Sequence, residues 1–152
     1  SLAMVWKPHV TVAAVVYRDG KFLLVEEETE AGLAFNQPAG HLEEDEPLVD
    51  AVVRETLEET AYHFRPTHVV GVYHWKHPTK EDTTYLRFAF GGELLGFEPE
   101  RKLDDGIVAA RWLTLDEVRA TQARHRSPLI LRCCEDLLAG KRYPLDLLVH
   151  YG

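Results

Sequence analysis

The predicted elements run strands, one helix, strands, then two helices, an order that reads as an α+β domain layered on a mixed sheet. Three observations predict it. Apolar, β-branched runs fall at 9–17, 21–26, 69–75, 83–95 and 108–113. An acidic stretch with helical periodicity, 47–60, separates the early strands from the later ones. Helix-start signals cluster after residue 113. At 152 residues, a single domain spanning 1–152 is expected. Ser1 to Ala3 are expected to be an appended remnant ahead of a native Met4.

The elements follow in chain order. His9 to Tyr17 carries Val10, Val12, Val15 and Val16, and Lys21 to Glu26 resumes the apolar pattern. Asp19-Gly20 between them is a tight-turn signal, so the two runs are predicted to form a hairpin. Glu26 to Gly32 is charged and predicts a surface loop. Phe35 to Gly40 is a short extended piece, with Pro38 biasing Gln37 toward extended backbone. The helix over 47–60 has Asp45 or Glu46 as its cap and Pro47 in its first turn. Val49, Val52, Val53, Thr56 and Thr60 lie ~60–160° around the wheel from Glu55. That mostly apolar face anchors the helix, and its glutamates stand beside it. His77 to Asp82 is a polar connection between two strands. Thr114 with Glu117 forms a capping box, so a short helix follows to about Gln122. Ser127-Pro128 opens the last helix, and Gly140 stops it.

Composition narrows the function. Net charge is −8 and no basic tract occurs, which argues against nucleic-acid polymers and membrane surfaces as partners. No apolar run approaches the ~18–20 residues of a membrane span. The adjacent Cys133 and Cys134 point about 100° apart on a helix, which suits neither a disulfide nor a shared metal. They are read as buried, reduced thiols, and a cytoplasmic location is expected. The chain is expected to act as a monomer or homodimer.

The chemistry concentrates in 40–62, which is dense in carboxylates. Glu55, Glu58 and Glu59 stand at i, i+3 and i+4, on one face of a helix. Like charges at that spacing repel, and three of them want a counter-ion. Hard oxygen donors suit Mg²⁺, with Mn²⁺ as a substitute, and Mg²⁺ prefers sites shared with phosphate. A solvated acidic helix face is the competing reading. Arg54 and Glu46, eight residues apart, read as a pair in which the guanidinium holds Glu46 and one of the three carboxylates together. Two unrelated surface charges is the alternative there.

Gly40, Glu46, Arg54, Glu55, Glu58 and Glu59 together match, in register, the motif G-x5-E-x7-R-E-U-x-E-E-x-G-U, where U is bulky and aliphatic. The sequence thereby resembles the Nudix hydrolases. Two positions depart: Thr56 stands where an aliphatic residue is expected, and Ala61 where a glycine is. Thr56 falls on the buried face, where its hydroxyl can be satisfied by the carbonyl one turn back. A glycine past a helix end commonly turns left-handed, and alanine there costs ~1 kcal/mol. The turn either absorbs that cost or leaves by another route.

The resemblance implies an α/β/α sandwich and a phosphohydrolase acting on phosphoric anhydride bonds. It implies Glu55, Glu58 and Glu59 as Mg²⁺ ligands, one of them also a possible base, with Gly40 offering its backbone carbonyl. Arg54 and Glu46 support them. A further carboxylate from Glu98, Glu100, Asp104 or Asp105 often completes such sites, and the sequence does not choose among them. KPHVTVAAVV, FNQPAGHLE, YHW, LRFAF, RSPL and RYPL extend the likeness to the NudJ-type phosphatases. That group implies thiamin-pathway pyrophosphates or nucleoside di- and triphosphates as substrates, with phosphate released.

Substrate contacts are expected from Phe35, Asn36, Gln37, His41, Trp75, Arg87 and Arg126. Arg87 interrupts an apolar strand and is either an exposed residue or a phosphate grip. Phe35, Tyr73 and Trp75 either pack in the core or stack on a ring. Arg126 and Tyr143 are candidates to cover the pocket. Two other functions stay open: a mutator-type pyrophosphohydrolase that releases pyrophosphate, and a nucleotide sensor without turnover.

Overall fold

A computed structural model describes residues 4–152. The expected appended remnant, Ser1 to Ala3, lies outside the described residues.

The strands are β1 (His9–Val15), β2 (Tyr17–Arg18), β3 (Lys21–Thr29), β4 (Gly32–Asn36), β5 (Ala39–His41), β6 (Tyr62–Lys76), β7 (Thr84–Phe97), β8 (Ile107–Leu113) and β9 (Tyr143–Pro144). The helices are α1 (Leu48–Thr60), α2 (Leu115–Ala120) and α3 (Leu129–Leu138). One sheet runs β5-β1-β7-β6-β9 and is mixed, because β1 and β7 are parallel and its other pairs antiparallel. In the second, β3 pairs antiparallel with β2, β4 and β8.

The fold is an α+β sandwich, and the side-chain alternation shows why. Val12 and Ala14 of β1, with Val16 just past it, join Ala51 and Val52 of α1 in one core, while Val15 joins Ile130, Cys133 and Cys134 of α3 in another. Val69 and Phe90 face the α1 core, and their neighbours Val70 and Ala89 face the α3 core. A strand covered on both faces reads as a continuous apolar run, which is what 9–17 shows.

That double burial corrects the expected hairpin. β1 and β3 belong to different sheets, and only the two-residue β2 pairs with β3 across the turn. The turn signal itself holds: Asp19 and Gly20 both have positive φ, at 52° and 78°. The expected loop from Glu26 to Gly32 is also corrected, since β3 continues to Thr29 and turns into β4. Glu26 sits inside that strand at 8% exposure because Arg111 and Arg124 both donate to its carboxylate.

The helix α1 begins at Leu48, with Pro47 as an extended cap that makes no side-chain bond. Neither Asp45 nor Glu46 caps it; Glu46 turns instead to Arg54. Thr56 is buried and donates to the Val52 carbonyl at 2.7 Å, as its position requires. Ala61 adopts φ 65° and ψ 10°, so the turn absorbs the left-handed conformation that a glycine would take freely. Its N–H caps the Leu57 carbonyl, and β6 starts at the next residue. The Thr114–Glu117 capping box is present, and Ser127 Oγ accepts from Leu129 N at the start of α3. Cys133 and Cys134 are buried and unpaired. Among the described residues, no helix is long and apolar enough to cross a membrane.

Candidate active site

The site forms where α1 lies along the edge strand β5. In the β1–β5 pair, Ala14 N donates to Pro38 O and Leu42 N to Val10 O. Pro38, Gly40 and Leu42 therefore turn their backbone groups toward β1, and Ala39 and His41 turn theirs outward. The outward groups meet α1: Ala39 N donates to Glu59 Oε1 at 2.9 Å, and His41 O accepts from Arg54 Nη2 at 3.2 Å. This corrects the part expected of Gly40, whose carbonyl faces Val12 of β1 rather than the acidic cluster. The outward carbonyl is that of Ala39.

Gly40 has a different reason to be glycine. A Cβ there would sit 2.1 Å from Glu55 Cδ, so the Glu55 carboxylate occupies the space a side chain would fill.

Arg54 organises the carboxylates. Its Nε and Nη2 grip Glu46 at 2.8 and 3.0 Å, while Nη1 reaches Glu55 at 2.7 Å and Glu58 at 3.1 Å. Glu43 adds an ion pair at 3.1 Å. The expected pair of Glu46 with one box carboxylate is thus a pair with two. Hydrogen bonding from Arg54 holds the Glu46 carboxyl below its ordinary range and raises Arg54 itself.

The loop after β7 supplies one more acid. Asp104 N donates to Glu58 O at 3.0 Å, which ties the loop to the last turns of α1. One oxygen each from Glu55, Glu58 and Asp104 then lies within 4.8 Å of the others. Of the other loop candidates, Glu98 bonds His63 at 2.5 Å instead. Glu59 lies outside that trio, one oxygen held by the Ala39 N–H. Burial raises Glu55 against the pull of Arg54, and raises Asp104 with help from Glu58. Burial pushes Glu59 up to about 8. Arg54 alone answers Glu43, Glu46, Glu55 and Glu58, and three hard oxygen donors converge. That donor set fits Mg²⁺ or Mn²⁺.

An open cleft of about 1460 Å³ adjoins the acids. Asn36, His41, Trp75, Arg87 and Arg126 line it, as do Glu55 and Glu59. Two expected contacts do not. Phe35 is 5% exposed and packs in the α3 core, with Arg124 over its ring at 4.5 Å. Gln37 is 1% exposed and bonds Ile130 O and Arg87. Tyr73 likewise donates inward to Asp136 at 2.7 Å, and Tyr143 pairs with Val69 at the far edge of the sheet. Sequence reasoning missed Thr11, Glu27, Lys80 and Tyr85 on the cleft walls. Register could have found Tyr85, which aligns with His9 and Trp75 in one row across three strands.

A family model described as the NUDIX domain matches residues 7–133. The chain belongs to the Nudix hydrolases. It is an enzyme of that family, a phosphohydrolase acting on phosphoric anhydride bonds. The phosphatase NudJ of Escherichia coli strain K12 is 44% identical over 144 residues, covering 94% of this chain and 92% of that protein. A solved NUDIX hydrolase from Nitrosomonas europaea is 54% identical with a TM-score of 0.92, covering 95% of this chain and 98% of the other. A MutT NUDIX hydrolase from Burkholderia pseudomallei, 20% identical over 86% of this chain and 98% of its own, shares the fold with a TM-score of 0.72.

Proposed function

We propose that this Nudix enzyme is a Mg²⁺-dependent hydrolase of small organic di- and triphosphates that releases phosphate. The observation that carries the reading is the convergence of Glu55, Glu58 and Asp104 beside a cleft that Glu55 and Arg87 both line. Likeness to a phosphatase supports phosphate as the product. Nucleoside di- and triphosphates and thiamin-pathway pyrophosphates are the compounds to try first. The unpaired Cys133 and Cys134 support a reducing, cytoplasmic setting.

Glu55, Glu58 and Asp104 would hold the ion, with Glu59 and the outward Ala39 carbonyl beside them. When bound, Mg²⁺ supplies charge neutralisation on the phosphate and a lowered pKa for water. Arg54 keeps Glu55 and Glu58 from splaying apart, and Glu46 keeps Arg54 in place. Asn36, His41, Trp75, Arg87 and Arg126 hold the substrate across the cleft. The oxygen of water forms the new bond to phosphorus, and the bridging oxygen leaves with the electron pair. With the ion bound beside it Glu59 would return to its carboxylate form, and, with one oxygen fixed by the Ala39 N–H, would receive the water's proton on the other.

The test is phosphate release from a panel of such compounds with Mg²⁺, wild type against Glu58→Gln. The proposal expects phosphate from at least one compound and a loss of ~10²-fold or more in the variant. Pyrophosphate as the only inorganic product would replace it with the pyrophosphohydrolase reading. Ligand-induced stabilisation with no product would replace it with a sensor.

A further inference from the structure

The cleft holds one buried cation that has no anion of its own. Arg87, near the start of β7, the middle strand of its sheet, is 6% exposed. Its Nη1 donates to Gln37 Oε1 at 2.8 Å and its Nη2 to Asn36 Oδ1 at 2.9 Å. Both acceptors are neutral amides, and the remaining neighbour is Cys133 Sγ at 3.9 Å from Nη1. Among the described residues, no carboxylate forms an ion pair with it. Arg54, Arg124 and Arg126 around the same cleft each have one. Burying a charge without a partner is expensive, so it points to an anion that arrives from outside.

The guanidinium is also aimed. Gln37 donates its Nε2 to the Ile130 carbonyl at 2.8 Å, which fixes its oxygen toward Arg87. The two amide bonds use two of arginine's five N–H donors. In the sheet, Arg87 lies in register with Thr11 of β1, which is in register with His41 of β5. Two strand spacings, about 10 Å, therefore separate its backbone from β5. Its side chain reaches into the same cleft as Glu55 and Glu59.

We infer that Arg87, positioned by Gln37 and Asn36, is the subsite for a free terminal phosphate of the substrate. It selects di- and triphosphates with an uncapped end over pyrophosphates esterified at both ends. A terminal phosphate carries about −1.5 to −2 charge and three acceptor oxygens, more than an internal diester offers an unpaired cation. The inference rests on the hydrolase reading above for the substrate, though not for the anion site.

The test uses inorganic phosphate with EDTA present, read by thermal shift, and steady-state kinetics on one nucleoside diphosphate and its sugar-capped counterpart. Phosphate is expected to raise the wild-type melting temperature. Asn36→Asp places a nearly isosteric carboxylate on Arg87. It is expected to raise the melting temperature without phosphate while weakening phosphate binding ~10-fold or more. In the Arg87→Gln background the same change is expected to have no further effect on phosphate. Either single variant is expected to raise KM for the uncapped substrate ~10-fold and lower the uncapped-to-capped ratio of kcat/KM by a similar factor. Three results would each overturn the inference: no phosphate shift in wild type, equal weakening by Asn36→Asp in both backgrounds, or an unchanged KM. If Arg87→Gln does not fold, the opposite movements of stability and phosphate affinity in Asn36→Asp decide alone. Phosphate binding that depends on Arg87 in a protein without hydrolytic activity supports the subsite and overturns only the proposed function.

Discussion

Gly40→Ala tests the active-site geometry with a single methyl group. The added carbon would lie 2.1 Å from Glu55 Cδ and 2.3 Å from both of its oxygens. Ordinary carbon contacts begin near 3.5 Å, so the carboxylate must retreat by about 1.4 Å. Gly40 is not at positive φ, so alanine brings no backbone strain, and it gains strand propensity of about 0.5–1 kcal/mol. Overpacking costs about 1–3 kcal/mol, and the 2.7 Å bond from Arg54 to Glu55 is stretched. The net is a loss of about 1–2 kcal/mol, which leaves a protein of ordinary stability folded. That corresponds to a melting temperature lower by about 2–8 °C. Catalysis is more sensitive: a 1 Å displacement of a positioned group costs on the order of 10²-fold. Thermal melts and Mg²⁺-dependent phosphate release, measured on the same preparation, separate the two effects. Activity within threefold of wild type in a folded variant would show that the Glu55 position against Gly40 does not matter, and the geometry argument would fail.

Three more outcomes follow from the structure. Arg54→Lys replaces a fork serving Glu46, Glu55, Glu58 and the His41 carbonyl with a point charge. It should lower kcat more than ~10-fold and stability by about 1–2 kcal/mol, as read by kinetics and denaturant unfolding. At Ala61, with φ 65°, glycine should stabilise by about 0.5 kcal/mol after its greater unfolded-state entropy is subtracted, and valine should destabilise by more than ~1 kcal/mol. Equal unfolding midpoints for both would refute the strain. Hydrogen bonding from Arg124, aided by Arg111, holds the Glu26 carboxyl below its ordinary value against its burial. A depressed carboxylate stabilises the fold fully above its unfolded pKa of about 4.3 and loses that contribution as pH falls through the folded value. Unfolding curves below about pH 4 should therefore fall less steeply in Glu26→Gln than in wild type.

The carboxylate helix was legible because its information is local. Spacing along one helix places Glu55, Glu58 and Glu59, and an eight-residue separation lets Arg54 meet Glu46. Thr56 shows the same locality, since its acceptor is one turn away. What could not be read depends on partners distant in sequence. Glu26 reads as a loop charge until Arg111 and Arg124, 85 and 98 residues away, are brought beside it. Gln37 reads as a substrate contact until α3 covers it. The choice of Asp104 over its neighbours depends on one backbone bond to Glu58. The direction of the Gly40 carbonyl depends on strand register, which spacing along one strand does not contain.

Mg²⁺-dependent phosphate release by wild type and Glu58→Gln, with a nucleoside diphosphate as substrate, tests the central claim most directly. Glu58 converges with Glu55 and Asp104, and its loss removes a donor without changing side-chain volume. The account predicts phosphate from wild type only when Mg²⁺ is present, and a fall of ~10²-fold or more in a variant that melts near the wild-type temperature. Full activity in Glu58→Gln, or wild-type activity unaffected by removing Mg²⁺, would contradict it.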